Sequence, residues 1–302
     1  MKITLLGSVG NINRFVIPQL VQAGHQVTVI TSNAKRRDQI ETLGAQPAVG
    51  DMADLAFLTQ AFIGADVVYL MISGTNPDLF GSAKRLGNIF AEAIRTAKVP
   101  QVVNLSSVGA QDPDSGTLYA YHLIEDALNQ LNADVAFVRP VGFYNNLFAN
   151  LPTLHRNQTL ATNIPAAITR KMVAPRDIAD VVYQMLTDCP AGHTIRYVVS
   201  DTFTGAQMLN AFSQALGFKL HYITLTDAQY AENLRHAGIP ESVIGPFVAS
   251  TQHQKHPELM YADFANQPVI TGHVKLADFA QTFADAYNAG DQAPKAHTVA
   301  NQ

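Results

Sequence analysis

The sequence predicts an α/β protein built on a doubly wound parallel sheet of the Rossmann type, followed by a smaller, mainly helical C-terminal substrate lobe. Two observations lead to this prediction. Short apolar runs alternate with longer helical patterns through the first half of the chain, and a glycine-containing turn follows the first run. Strands that alternate with helices form a parallel sheet covered on both faces, because each crossover helix packs back onto the sheet.

Apolar or β-branched runs in the first half predict strands. They lie at residues 2–6, 26–30, 46–49, 66–72, 101–105 and 134–138. The segments between them carry apolar residues at helical spacing, and several of these segments stop at a glycine. The predicted helices lie at residues 11–22, 36–43, 55–62, 79–97 and 119–131.

The alternation loosens beyond residue 147, where prolines interrupt the chain. Helices are predicted at 177–186 and 206–216, and strands at 194–199 and 220–224. We expect a nucleotide-binding domain at residues 1–150 and a smaller substrate-binding lobe at 151–289, with some segments of the lobe returning to the sheet. Residues 290–302 are polar and lack periodicity, so they are expected to form a tail.

Composition narrows the class of protein. The 302 residues are 47% hydrophobic and 15% charged, with a formal net charge of −4. This composition excludes a disordered or fibrous chain, and the missing basic excess predicts no nucleic-acid partner and no membrane partner. Cys189 is the only cysteine and has no internal disulfide partner, which fits a reducing cytosol. We expect a cytoplasmic protein that acts on a small molecule. The sequence does not decide whether the chain forms a homodimer.

A glycine turn follows the first predicted strand and precedes a helix. Glycine lets the backbone bend without a Cβ penalty, and the free N–H groups at a helix N-terminus favour a pyrophosphate. The position that usually holds a third small residue holds Asn13. The residues expected to hold the pyrophosphate are Gly7, Ser8, Val9, Gly10, Asn11 and Ile12.

The end of the second strand indicates which dinucleotide is bound. NAD-preferring folds usually place an acidic residue there for the ribose 2′-hydroxyl, but the chain reads Thr31, Ser32, Asn33 and then a basic cluster around Arg36. Arginine binds phosphate oxygens with two N–H donors, so the sequence favours NADP (NADPH), with NAD as the alternative. Asp51 follows the third strand and is expected either near the adenine or as a local cap.

Several longer motifs resemble those of a known family. They are Gly7/Gly10, Gly50-Asp51, Ser106-Ser107-Val108-Gly109, the run from Arg139-Pro140 to Asn146, Arg176-Asp177-Ile178-Ala179-Asp180 and Thr271-Gly272-His273. With these motifs, nearly the whole chain resembles the NmrA-like atypical short-chain dehydrogenases/reductases. That family includes quinone reductases, other NAD(P)H-dependent reductases and redox-sensing regulators.

The resemblance implies roles at the matched positions. Met71, Ile72 and Ser73 would line the cofactor after the fourth strand. Ser106 and Ser107 would lie near the nicotinamide, and Pro140 and Val141 would pack beside it. Phe143, Tyr144 and Asn146 would form the substrate pocket. These positions follow strand ends, where open α/β sheets bind their ligands.

The catalytic pair of typical short-chain dehydrogenases is missing. Those enzymes use Tyr-x-x-x-Lys on one helix face, and in relatives with a similar Arg-Pro strand the lysine position corresponds to Tyr121. Residues 119–131 contain no lysine. Alcohol oxidation and sugar epimerisation need that acid–base pair, whereas quinone reduction needs mainly orientation of cofactor and acceptor. Tyr121 and His122 are the candidate hydrogen-bond donors to an acceptor oxygen; the alternative is that Tyr121 packs in the helix and His122 lies at the surface.

Three functions remain at this point. The first is hydride transfer from NADPH to a quinone or similar small conjugated carbonyl without the Tyr/Lys pair. The second is a non-catalytic NAD(P) redox sensor that acts through a protein partner. The third is an isomerase that uses His122 or Glu125 as its base. His253 and His256 lack the spacing of a metalloprotease motif, so we predict a surface or subunit contact there and no metal site.

Overall fold

The strands form one large sheet and two small ones in this computed structural model, which describes residues 1–72 and 76–290. In chain order the strands are β1 (Lys2–Leu5), β2 (Gln26–Thr31), β3 (Gln46–Val49), β4 (Val67–Leu70), β5 (Gln101–Leu105), β6 (Asp134–Pro140), β7 (Gly142–Phe143), β8 (Thr159–Thr162), β9 (Thr169–Val173), β10 (His193–Val199), β11 (Asp201–Thr204), β12 (His221–Thr224) and β13 (Val269–Thr271).

The helices connect these strands and cover the large sheet. They are α1 (Asn13–Gln22), α2 (Arg37–Thr42), α3 (Leu55–Phe62), α4 (Leu79–Ala97), α5 (Ala120–Leu128), α6 (Leu151–Asn157), α7 (Pro175–Thr187), α8 (Gly205–Leu216), α9 (Asp227–His236), α10 (Glu241–Gln254), α11 (Pro257–Met260) and α12 (Leu276–Asn288). Short 3₁₀ turns precede α2, α5 and α6, and another follows α11.

The large sheet has eight strands in the order β13-β10-β6-β5-β4-β1-β2-β3, and the neighbouring strands pair in parallel. The chain winds outward from β1 in both directions, which confirms the predicted doubly wound fold. The order reverses between β1 and β4, and ligands of such sheets bind beside this reversal at the carboxyl ends of the strands.

The large sheet is buried on both faces, and this explains why its central strands are almost wholly apolar. On one face Val16, Ile17 and Leu20 of α1 pack with residues of α7. On the other face Phe90 of α4 and Ile124 of α5 belong to a second core cluster. The polar exceptions on the central strands therefore require buried partners.

Two predicted helices begin later than the sequence suggested. The predicted helix at residues 11–22 starts at Asn13, because Asn11 and Ile12 still belong to the glycine turn. The helix predicted from residue 119 starts at Ala120, after a 3₁₀ turn at Gly116–Tyr119. Gly116 has φ +64°, and a Cβ there would overlap the carbonyl of Pro246 in α10, so this turn is pressed against α10.

The second half of the chain builds a lobe and also completes the large sheet. Phe212 of α8 and Phe283 of α12 stack at 4.2 Å in the lobe core. Apart from β7, the strands of the small sheets β11-β9-β7 and β12-β8 come from this half, and the sequence predicted only β12 among the strands of these sheets. β10 and β13 return to the large sheet. The boundary at residue 150 between a nucleotide-binding domain and a substrate-binding lobe therefore stays a prediction.

A buried clamp, formed by Asp177, Ser200 and Val274, joins α7 to the segment that leads into α12. Asp177 is 3% exposed and accepts hydrogen bonds from the Ser200 hydroxyl and, at 3.1 Å, from the Val274 N–H. A Cβ on Gly272 would overlap the Asp177 carboxylate. The two motifs around Asp177 and Gly272 are thus two halves of one contact. In the described ranges, no helix is both long and apolar enough to cross a membrane.

Candidate active site

The glycine turn after β1 is shaped by close contact with Met71. Gly7 has φ +94°, a conformation that L-residues rarely adopt, and a Cβ there would lie 2.9 Å from the Met71 Cγ and Sδ atoms. At Gly10 a Cβ would lie 3.1 Å from the Gly7 carbonyl oxygen. Glycine is therefore required at Gly7, and a larger residue at Gly10 would press on the turn.

The turn presents backbone donors to a ligand. Within residues 1–72 and 76–290, the N–H groups of Gly10, Asn11 and Ile12 donate no hydrogen bond to the protein. Ser8 has φ +53° and its N–H is used, since it donates to the Ile30 carbonyl at 3.0 Å. Free N–H groups just before a helix, with no Cβ in the way, suit the pyrophosphate of a dinucleotide.

Asn13 fastens this turn from inside. Its side chain is 3% exposed, and its amide nitrogen donates to the Leu6 carbonyl at 2.7 Å and the Ser8 carbonyl at 2.8 Å. An amide with two donors can tie both carbonyls at once, which a third glycine would leave unpaired. The unusual residue in the motif is thus compatible with a formed phosphate cradle.

Arg36 lies against the glycine turn. Its guanidinium Nη1 donates to the Val9 carbonyl at 3.4 Å and to the Gln39 side chain at 3.2 Å. Ser32 is exposed beside it. In the described part of the chain no carboxylate forms an ion pair with Arg36. Its remaining donors suit the 2′-phosphate of NADP.

The other residues at this end have local roles. Thr31 is buried, and its hydroxyl accepts from the Asn33 N–H at 3.2 Å. Asn33 in turn caps the following 3₁₀ turn by accepting from the Lys35 N–H at 3.0 Å. Asp51 accepts from the Ala53 N–H at 2.9 Å, so of its two expected roles the structure shows the local cap.

The predicted nicotinamide end is formed by the residues that follow β4, β5 and β6. Met71 is half-buried and Ile72 buried, while Ser73 lies outside the described residues. Ser107 is half-buried, with its hydroxyl bonded to the Val108 carbonyl at 2.9 Å. Pro140 and Val141 are buried, and the Val141 N–H donates to β10, which fixes the chain leaving β6.

The expected substrate pocket needs one correction. Phe143 is half-buried and Asn146 is exposed, so both can face a pocket. Tyr144 is fully buried, and its ring stacks on Phe279 at 4.5 Å and on Phe203 at 6.1 Å. Burial and nearby carboxylates, Asp201 first among them, raise its pKa. Tyr144 is therefore a core residue of the lobe and not part of an open pocket.

Ser106 belongs to a buried charged network that the sequence did not predict. Its hydroxyl donates to Glu125 Oε1 at 2.5 Å. Glu125 also receives two hydrogen bonds from Arg139, from Nε at 2.9 Å and from Nη2 at 2.6 Å. Arg139 Nη1 continues to the Tyr197 hydroxyl at 2.9 Å and to Asp263 at 3.3 Å. Ser106, Glu125 and Arg139 are each less than 5% exposed.

The network holds Arg139 charged. Burial alone would lower its pKa, but the hydrogen bonds and charge of Glu125 outweigh burial and raise it. A sequence signal for this pair existed, because Arg139 ends an apolar strand and Glu125 lies among the apolar residues of α5. Charges in such positions are almost never buried without a partner.

The two candidate donors on α5 have different surroundings. Tyr121 is half-buried on the face that carries Glu125 one turn later, and burial raises its pKa. His122 points to Asp126, with Nε2 at 3.3 Å from Oδ1, and stacks on Tyr119 at 4.8 Å. Its side chain is 31% exposed. Tyr121 therefore packs against the apolar cluster that includes α4 and α5, whereas His122 is paired with Asp126.

His253 does not lie at the surface. Of the two expected places, a surface position or a subunit contact, the surface position is wrong, because its side chain is 5% exposed and its Nε2 lies 3.4 Å from Asp112 Oδ2. His256 is exposed and lies 3.2 Å from Glu258. The helical spacing assumed for this pair ends with α10 at Gln254, so the two rings do not share a helix face.

The sequence model of the NmrA-like family matches residues 1–262. The chain belongs to the NmrA-like family. Among relatives of known activity, it is 25% identical over 297 residues to an NAD(P)H azoreductase of Xenophilus azovorans, with 95% of this chain and 99% of the relative covered.

Solved structures share this fold. An NADPH-dependent quinone oxidoreductase of Escherichia coli in complex with NADPH has a TM-score of 0.75 and 17% identity, with 92% of this chain and 98% of that chain covered. A triphenylmethane reductase of Citrobacter sp. in complex with NADP(H) has a TM-score of 0.76 and 18% identity, with 94% and 100% covered. At this level of identity the likeness establishes the fold.

Proposed function

We propose that this NmrA-like protein is an NADPH-dependent reductase that transfers hydride to a quinone or a similar small conjugated carbonyl. The cradle of Gly7 and Gly10 with Arg36 above it carries the proposal, because it combines free backbone donors with an arginine at the 2′-phosphate end. The relatives support it, since an azoreductase, a quinone oxidoreductase and a triphenylmethane reductase are each named for NAD(P)H or found with it.

The reaction proposed needs little acid–base chemistry from the protein. The bound nicotinamide would supply a hydride, and one proton completes the reduction of quinone to quinol. Tyr121 and Glu125 occupy the i and i+4 positions of α5, and Glu125 is held in an ion pair with Arg139. An amine to lower a tyrosine pKa is therefore missing from this face of α5, which disfavours alcohol oxidation and epimerisation.

The residues of the chain would act by binding and orientation. The turn at Gly10–Ile12 would hold the pyrophosphate, and Met71, Ser107 and Val141 would flank the nicotinamide. Phe143 would lie beside a flat acceptor. Burial keeps the Tyr121 hydroxyl protonated, so this residue would donate a hydrogen bond to the acceptor oxygen and would not act as a base.

The decisive experiment follows NADPH oxidation in the presence of 1,4-naphthoquinone, with NADH in parallel and a control without protein. Saturable oxidation that depends on the protein and prefers NADPH is the expected result. Cofactor binding is measured separately by nicotinamide fluorescence, which has to be excited directly because the chain has no tryptophan.

Two other outcomes reject the proposal. Binding without turnover, tested also with azo and triphenylmethane dyes, would favour the redox sensor, whose partner would bind differently to the two cofactor states. A lack of binding would mean that the cradle does not hold a dinucleotide at all. Both outcomes are distinguishable from the expected one in a single series of measurements.

A further inference from the structure

The buried ion pair between Glu125 and Arg139 lies close to the proposed nicotinamide end. Both side chains are about one-twentieth exposed, and the pair shares two hydrogen bonds. Removing two charges from water is costly, and an apolar pair of the same volume is often as stable. Stability alone therefore gives a weak reason for an ion pair in this position.

The ion pair links the residue that follows β5 to the end of the neighbouring strand β6. Glu125 holds the hydroxyl of Ser106, the first residue beyond β5, while Arg139 lies in β6 just before Pro140. Through its Nη1 atom Arg139 reaches Tyr197 in β10, whose hydroxyl lies 2.8 Å from Asp263 and 3.2 Å from Gln111 Oε1 and donates its one proton to one of these two acceptors. These hydrogen bonds thus connect the carboxyl ends of β5, β6 and β10.

The direction of one hydrogen bond matters. The Ser106 hydroxyl has one proton, and that proton points to Glu125. Ser106 is therefore held in one rotamer, with its proton committed to Glu125. Ser107, the next residue, is half-buried and is proposed to flank the nicotinamide, and Tyr121 lies one helical turn before Glu125. A change at Glu125 would shift both.

We propose that Glu125 is a positioning residue, which acts through Ser106 to set the corner between β5 and α5 and with it the nicotinamide and the acceptor. This inference rests on the proposed function. It predicts that Glu125 affects the step in which the hydride moves more than it affects cofactor binding. Misplacement of reacting groups by about 1 Å costs on the order of a hundredfold in rate.

The test is a double-mutant cycle of Glu125→Gln and Ser106→Ala. Glutamine keeps the shape of the side chain but loses the charge and one acceptor atom. We expect each variant to lower kcat about 10- to 100-fold, with the Kd for NADPH changed by no more than about twofold. Because one residue acts through the other, the double variant should be no slower than the worse single variant. Additive losses would overturn the proposal.

Glu241→Gln is the matched control. Glu241 also forms a two-bond ion pair with an arginine, Arg235, at 2.8 and 2.9 Å, but this pair is exposed on the surface. We expect kcat to stay at the wild-type value. A second variant, Glu125→Met with Arg139→Met, replaces the buried pair by an apolar one and should keep the thermal midpoint. An unchanged kcat in this folded variant would overturn the proposal.

A readout that does not depend on turnover separates this proposal from the proposed function. The emission maximum and intensity of bound NADPH report the surroundings of the nicotinamide. We expect Glu125→Gln to change this emission at saturating NADPH, while Glu241→Gln leaves it unchanged. If the wild-type protein binds NADPH without reducing a quinone, the proposed function fails, and an altered emission still supports the positioning role. An unaltered emission overturns it.

Discussion

At the scale of single residues, Arg36 is the side chain that distinguishes the two dinucleotides. It is exposed, it makes no ion pair in the described part of the chain, and it donates to a carbonyl of the phosphate turn. Its guanidinium therefore lies beside the turn, where it can donate to a 2′-phosphate.

Replacement of this residue gives a clear prediction. Arg36→Gln should raise the Kd for NADPH about 10- to 100-fold, the value of charge-assisted hydrogen bonds, and should leave the Kd for NADH nearly unchanged. Fluorescence titration with both cofactors measures this. Arg37→Gln is the control, since Arg37 is exposed and its side chain makes no hydrogen bond or ion pair in the described residues. Equal losses for NADPH and NADH would refute the assignment.

The glycine turn allows an equally direct test. Gly7→Ala should abolish dinucleotide binding, because the new Cβ would press on Met71 and the residue would keep an unfavourable positive φ. Gly24→Ala is the matched control: its φ is +82° and nothing lies within 4 Å of its Cβ. That variant should lose only about 1 kcal/mol of stability and keep its cofactor affinity. Calorimetry and titration of both variants decide the matter.

Tyr121 is tested by removal of its hydroxyl. Tyr121→Phe should lower kcat with quinones about tenfold, the value of one hydrogen bond to a developing charge, without changing NADPH affinity. His122→Ala should have no effect on kcat, because its ring is already paired with Asp126. If His122→Ala is the slower variant, the roles of the two neighbours are reversed.

At the scale of elements, α9 and α10 are joined through one carboxylate. Asp227 accepts hydrogen bonds from Lys255 at 2.7 Å, Gln252 at 3.0 Å and Asn163 at 2.6 Å. These bonds, led by that from Lys255, lower the pKa of Asp227 from 3.8 to about 2. Its side chain is 34% exposed, so solvent weakens the effect.

The lowered pKa of Asp227 determines how the stability of the fold changes with pH. Because the folded-state pKa is lowered, Asp227 contributes stability above its unfolded pKa, and this contribution is lost as the pH falls through the window between the two values. Asp227→Asn should therefore melt at a lower temperature than the wild type at pH 7, and the difference should narrow towards about pH 2. Thermal scans at both pH values measure the difference, and a constant gap would show that the charge is irrelevant.

The elements also show what the sequence can and cannot predict. The sequence predicted α4 and β5 at the observed places. In such long periodic segments and buried runs, the spacing of apolar residues indicates which side chains are buried. The strands β7, β8, β9, β11 and β13 were missed. They have two to five residues, and their pairing depends on partners distant in the sequence.

The same limit applies to the site. The cofactor roles of Gly7, Gly10 and Arg36 could be proposed from the sequence because these residues follow strands, and the roles stay predictions. The Glu125–Arg139 pair was missed, because sequence spacing does not show which distant charges meet. Tyr144 was misplaced for a related reason: an aromatic residue after a strand end can pack into the lobe or line a pocket, and only the packing of Phe203 and Phe279 decides.

At the scale of the whole molecule, the chain crosses between its two halves more than once. β10 and β13 come from the second half but extend the large sheet beyond β6. The clamp of Asp177 and Ser200 then ties α7 to the segment that leads into α12. Neither half can lose its structure without exposing apolar surface of the other.

We therefore expect one cooperative unfolding transition. Tyrosine fluorescence and far-ultraviolet circular dichroism should give the same midpoint in urea. Gly272→Ala, which forces a Cβ onto Asp177, should lower both midpoints together. Gly245→Ala is the control, since nothing lies within 4 Å of its Cβ. Two separated midpoints would show that the nucleotide-binding part and the lobe fold independently.

The two outermost strands have a consequence for behaviour at high concentration. An exposed sheet edge can recruit strands from other molecules, which is a common route to aggregation. Here the edges are short: β13 has three residues, and β3 has four, of which Pro47 has no N–H to donate. Few backbone groups at either edge are therefore free to pair with a strand of another molecule. We expect the folded protein to resist aggregation through its sheet edges at high concentration.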